Sequence, residues 1–149
     1  MARLGDKTAF VFTGGGSLGA IQVGMLRVLL ASGVKPDFVV GTSVGAINAS
    51  YFAGAPTAAG IATLERIWLG LRRADIFPFT LASAIGLIRH PGNVVDPSGL
   101  RRVIETHLPY ARVEDAQIPL HIMATNQQGL GVRLSSGPAV EAGPNRLHG

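Results

Sequence analysis

A chain of 149 residues, 47% of them hydrophobic and 15% charged, is long enough for one domain with one core and too apolar for intrinsic disorder. With no cysteine, a disulfide framework, a thiolate metal site and a cysteine nucleophile are excluded. The formal charge of +4 comes from 13 basic and 9 acidic residues scattered along the chain, with Arg72-Arg73 and Arg101-Arg102 as the only basic doublets; no nucleic-acid-binding module surrounds them.

Met1 to Lys7 carries Asp6 and Lys7 where a secretory leader would begin its apolar stretch, so no signal peptide is read there. Thr8 to Thr13 is a short β-prone run, predicted as a buried strand. A Gly-rich turn follows, Gly14 to Gly19. After it Ile21, Met25, Val28 and Leu29 recur at helical spacing and predict a helix with that face inward, stopped at Gly33 before Pro36. Asp37 to Val40 reads as a second strand. It runs into Gly41-Thr42-Ser43-Val44-Gly45 and a helix over Ala46 to Ala53, closed by Gly54 and Pro56. Ile61, Leu64, Trp68 and Leu71 predict a third helix, and Asp96-Pro97 caps a fourth whose apolar face is Leu100, Val103 and Ile104. Pro119 to Thr125 is another buried strand. Gln128-Gly129 signals a turn, with Val132 to Leu134 as the return strand of a hairpin. Strand and helix alternate, which predicts an α/β fold with a parallel sheet.

The uncharged stretch from Ile76 to Ile88 is too short to span a bilayer and contains Pro78. It reads as a buried helix with solvated ends, or as an apolar flap touching a lipid surface with Arg72, Arg73 and Arg89 near headgroups. The expectation is a cytoplasmic protein, soluble or in peripheral contact with a membrane.

Two turns carry chemistry. Gly14, Gly16 and Gly19 satisfy G-x-G-x-x-G between a strand and a helix. Glycines there expose backbone N–H groups at a helix N-terminus, a setting for a pyrophosphate or for an oxyanion formed during a reaction. Gly41-x-Ser43-x-Gly45 has the nucleophile-elbow pattern, in which a strained serine projects its Oγ from a sharp strand-to-helix turn. The turns follow successive strands joined by one crossover, so both are predicted to open at the same sheet edge. A nucleophile beside prepared donors is what acyl transfer needs.

A histidine base is not evident. His121 lies in a predicted buried strand and reads as a core residue, while His90, His107 and His148 fall at loops or helix ends. The serine also comes after only two strands, earlier than in an ordinary α/β-hydrolase.

Thr13-Gly14-Gly15-Gly16-Ser17-Leu18-Gly19 and Gly41-Thr42-Ser43-Val44-Gly45-Ala46, with one short strand–helix–strand between them, resemble the oxyanion-hole motif and lipase elbow of the patatin-like phospholipases. The resemblance extends to Ser135-Ser136-Gly137-Pro138. It implies a three-layer α/β fold with a parallel sheet and hydrolysis of acyl esters in lipids or phospholipids. It also implies a serine–aspartate dyad without histidine, and no metal or cofactor. Carried over by position, Ser43 is the nucleophile. The backbone of Gly14, Gly15 and Gly16 supplies oxyanion donors, Gly19 serves helix packing, and Gly41 and Gly45 form the elbow.

The family's aspartate lies in an Asp-Gly dipeptide, which this sequence lacks; Asp6, Asp37, Asp75, Asp96 and Asp115 stand in other contexts. Residues 1–149 are therefore expected to be an incomplete patatin-like domain lacking its catalytic aspartate, with a sheet edge left open to association. Two other readings compete: a lipid-surface or partner-binding scaffold without turnover, and a dinucleotide site at Gly14, Gly16 and Gly19. The last needs an acidic residue at the far end of the second strand, where Gly41-Thr42 stand instead.

Overall fold

The computed structural model describes residues 7–71, 97–125 and 131–135. Strand β1 (Ala9–Phe12) alternates, with Phe10 and Phe12 buried and Val11 exposed, so its two faces have different surroundings. β2 (Phe38–Thr42) pairs parallel to it, placing Phe12 beside Gly41. β3 (Leu120–Thr125) pairs parallel to β2, and β4 (Gly131–Ser135) returns antiparallel to β3. The sheet order is β1-β2-β3-β4, the α/β arrangement expected from the alternation.

The helices are α1 (Gly19–Ala31), α2 (Val44–Gly54), α3 (Ala58–Gly70) and α4 (Pro97–His107). Helix α2 lies against β1, β2 and β3, and α1 and α3 pack on it and on each other. Burial of α2 is nearly complete from Asn48 to Gly54, which fits a helix without a polar face. Phe52 reaches the sheet, its ring centroid 6.1 Å from Phe10 and 6.5 Å from Phe12. These rings, with Val39, Leu120, Leu26, Ile61 and Leu64, form the core. Thr57 caps α3, its side chain accepting from the Gly60 N–H at 3.0 Å. At the end of α1, Gly33 has φ 77° and Val34 N–H donates to the Leu29 carbonyl, a left-handed glycine stop.

One expectation is corrected. Of the face predicted to point inward, Ile21, Met25, Val28 and Leu29, the first three are exposed by 60%, 59% and 63% and Leu29 alone packs half-buried against the core, while α1 buries Val23 and Leu26. This helix is apolar on several sides, so spacing does not single out one face; contact with α2 and α3 does.

Packing on α2 puts α1–α3 on the Phe10/Phe12 side of the sheet. The second helical layer of a three-layer fold is not among the described residues. The apolar stretch 76–88, the Gln128-Gly129 turn, Asp96, the tail, and Asp6, Asp75, His90 and His148 also lie outside them.

Candidate active site

At the end of β2 the chain must reverse into α2 within one residue. Ser43 makes that turn with φ 53° and ψ −131°, the one positive φ at a non-glycine position among the described residues. A side chain held in this region costs about 1–3 kcal/mol and persists only where the surroundings dictate it. Here they do. A Cβ on Gly41 would lie 2.6 Å from Ala46 Cα, and one on Gly45 would strike the carbonyls of Phe12 and Thr13. The elbow is therefore closed tightly on itself and pressed against the end of β1, and Ser43 is exposed.

Parallel pairing of β1 with β2 brings the glycine turn to the same edge. A Cβ on Gly14 would stand 3.2 Å from Ser43 Cβ and 3.7 Å from its Oγ, so Gly14 is the wall beside the serine. Gly15 (φ 148°) and Gly16 (φ 58°) take backbone conformations that a side chain resists, and a 3-10 turn over Gly16–Leu18 leads into α1. Among the described residues no acceptor takes the N–H of Gly14, Gly15 or Gly16. Gly19 lies deeper. Its missing Cβ admits the Trp68 ring, whose Cζ2 would be 2.6 Å from such an atom.

A cavity of about 580 Å³ opens beside Ser43. Its walls are mainly apolar: Ile47 and Tyr51 of α2, Leu64 and Ile67 of α3, and Val103 and Ile104 of α4. Tyr110 closes one side, donating its hydroxyl to the Ser50 carbonyl at 2.9 Å. Burial raises its phenol above the ordinary value of 10.0.

A model of the family described as patatin-like phospholipase matches residues 10–142. The chain belongs to the patatin-like phospholipase family. It is 25% identical to patatin-like phospholipase domain-containing protein 7 of Rattus norvegicus over 142 residues, which is 94% of this chain and 10% of that protein. Identity is 47% over 55 residues with the protein of the same name from Mus musculus, 36% of this chain and 4% of that protein. It is 36% over 70 residues with patatin-like phospholipase domain-containing protein ZK370.4 of Caenorhabditis elegans, covering 46% and 5%. The chain thus spans a tenth or less of the length of these relatives.

Against the patatin-like pattern, the carboxylates are placed as follows. Asp37 precedes β2 and accepts from the Thr8 N–H at 2.7 Å, at the edge where the parallel strands begin. Asp115 ends the short 3-10 turn Val113–Asp115 that precedes β3 at that same edge. Ser43 lies at the opposite edge, where the strands finish. His107 ends α4 on the cavity rim, and His121 is buried with its ring edge-on to Phe38 at 5.6 Å. No cluster of three metal-ligating side chains occurs among the described residues, and none of their helices is long and apolar enough to cross a membrane.

The sequence reading overlooked Asn48, Gln22 and Tyr110. Asn48 is fully buried in α2. Its signal in the sequence was present: a carboxamide inside the apolar run from Val44 to Gly54 must find hydrogen-bond partners if the helix is buried.

Proposed function

We propose that this chain carries the nucleophile and oxyanion-binding half of a lipid acyl hydrolase. Ser43 Oγ attacks the ester carbonyl, and the carbonyl oxygen becomes an oxyanion facing the N–H groups of Gly14, Gly15 and Gly16. Collapse of that intermediate expels the alcohol and leaves an acyl-serine, which water then hydrolyses. The acyl chain lies in the apolar cavity beside Ser43. The observation that carries this reading is the strained Ser43 backbone, at φ 53°, next to the glycine turn. Such strain, imposed on an exposed serine by the tight elbow, fits a group held for reaction.

The proton of Ser43 needs a base. In this reading the base is an aspartate, as the family resemblance implies, and Asp37 and Asp115 are not candidates because they lie at the other sheet edge. Substrates are lipid or phospholipid esters, met at a membrane surface.

The second reading, a scaffold that binds lipid or a partner without turnover, is favoured by that same placement of the described carboxylates. Fluorophosphonate labelling separates the two. Label that appears on the chain and vanishes in Ser43→Ala supports the hydrolase. A folded chain that stays unlabelled supports the scaffold.

A further inference from the structure

A line of side-chain hydrogen bonds runs beneath the glycine turn. Trp68 Nε1–H, on α3, donates to Asn48 Oδ1 at 2.9 Å. Asn48 Nδ2 donates to the Gly19 carbonyl at 2.9 Å and to Gln22 Oε1 at 2.8 Å. Gln22 Nε2 in turn donates to the Thr13 carbonyl at 2.7 Å. The two backbone carbonyls bracket the turn: Thr13 is the residue before Gly14, and Gly19 the first residue of α1.

Asn48 stands on α2, the helix whose N-cap is Ser43, and is 0% exposed. Buried carboxamides are costly unless paired, and this one uses its oxygen and its amino group. Three consecutive glycines have little conformational preference of their own, and each peptide plane between them can rotate. In a trans peptide the N–H points opposite to the C=O. Holding the Thr13 carbonyl toward Gln22 therefore turns the Gly14 N–H to the other side of the strand end. Pinning the Gly19 carbonyl fixes where the turn must finish.

We propose that Gln22 and Asn48 are positioning residues that lock the glycine turn in one orientation relative to Ser43. Neither touches the reacting atoms. The role rests on reading Gly14–Gly16 as oxyanion donors, and the donors are useful only when preorganised, since a misplacement of about 1 Å can cost about 100-fold in rate.

The test uses Gln22→Met, which keeps the side-chain length, removes both hydrogen bonds, and sits at a half-buried position where the fold should tolerate it. Asn48→Asp is the second variant; as a carboxylate it keeps the acceptor for Trp68 and removes both donors. Because it buries a charge, a circular dichroism melt checks its fold, Gln22→Met deciding alone if it does not fold. Backbone amide resonances of Gly14, Gly15 and Gly16 are recorded in the 149-residue chain, with the fluorophosphonate labelling rate of Ser43 and the 31P shift of the adduct. The expected result in both variants is that the glycine resonances broaden or double while those of Ile61 and Leu64, on α3, stay in place. Labelling slows by about 10- to 100-fold, and the 31P resonance moves toward its position in the denatured adduct. Unchanged glycine resonances and an unchanged labelling rate in Gln22→Met overturn the proposal. A folded wild-type chain that takes no label favours the scaffold reading over turnover by these 149 residues, and the glycine resonances then decide alone whether the network holds the turn.

Discussion

Two glycines of α1, five residues apart, should respond to the same substitution with opposite signs. Gly19 faces α3. A methyl there would stand 2.6 Å and 2.8 Å from Cζ2 and Cη2 of Trp68 and 2.9 Å from Val44 Cγ2. Carbon atoms rest about 3.5–4.0 Å apart, so the indole must retreat by about 1 Å. Retreat strains the 2.9 Å bond from Trp68 Nε1 to Asn48, whose side chain is sealed from water. Overpacking costs about 1–3 kcal/mol, and a weakened hydrogen bond to a buried amide adds about 1 kcal/mol. Because position 19 opens the helix, little of the roughly 1 kcal/mol by which alanine outranks glycine in a helix interior is available to offset this. Gly19→Ala should therefore destabilise the chain by about 2–4 kcal/mol, lowering Tm by roughly 4–16 °C. Gly24 is exposed in mid-helix with nothing within 4 Å of a built Cβ, so Gly24→Ala should stabilise by about 0.5–1 kcal/mol. Trp68 is the single tryptophan of the sequence, so thermal melts followed by circular dichroism and indole emission read both stability and the ring's surroundings. A Gly19→Ala chain that melts with the wild type and emits at the same wavelength would refute the packing argument.

Ser43→Gly should abolish fluorophosphonate labelling yet raise stability by about 1 kcal/mol, because glycine takes φ 53° without strain; urea denaturation that shows a loss instead would mean the elbow is not strained. Phe52→Ala should cost about 3–5 kcal/mol, since this ring is fully buried against Phe10 and Phe12, and a loss below 1 kcal/mol in the same assay would deny it that place in the core. Tyr110 favours its protonated form in the folded state, so its contribution is full below pH 10 and is lost as pH rises above that toward the higher folded value. Urea midpoints of the wild type should thus fall more steeply above pH 10 than those of Tyr110→Phe, and parallel curves would remove Tyr110 as the cause. On the proposed hydrolase reading, replacing Ile47 by Trp should narrow the cavity beside Ser43 and slow hydrolysis of long-chain p-nitrophenyl esters more than of the acetate, whereas equal slowing would place the acyl chain elsewhere.

The elements β1, β2, α2, α3, α4 and β3 were legible in the sequence to within a few residues, because strand-forming runs, glycine stops and the Asp-Pro start are local signals. The inward face of α1 was not. Ile21, Met25 and Val28 have the right spacing, but Val23, Leu26 and Leu30 share the helix, and the choice between them lies with the partners. Asn48 shows a different limit. Its presence within an apolar helix warned that partners must exist, but not that they would be Gly19 and Gln22 on one side and Trp68 on the other. The cavity walls bring together residues from three helices separated by up to 61 positions, from Ala46 to His107, and no periodicity encodes such a meeting.

By itself the sequence determined the α/β order and the family, because Gly14–Gly19 and Gly41–Gly45 are motifs whose steric demands are met by glycine and little else. It also determined that Ser43 would end a strand and begin a helix. Tertiary structure decided the rest. Parallel pairing of β1 with β2 set Gly14 beside Ser43, packing turned α1 to bury Val23 and Leu26, and α2 placed Asn48 where a single carboxamide ties three helices to the glycine turn. Local signals depend on what each residue can adopt, whereas these contacts depend on which surfaces are left to meet once the sheet has formed.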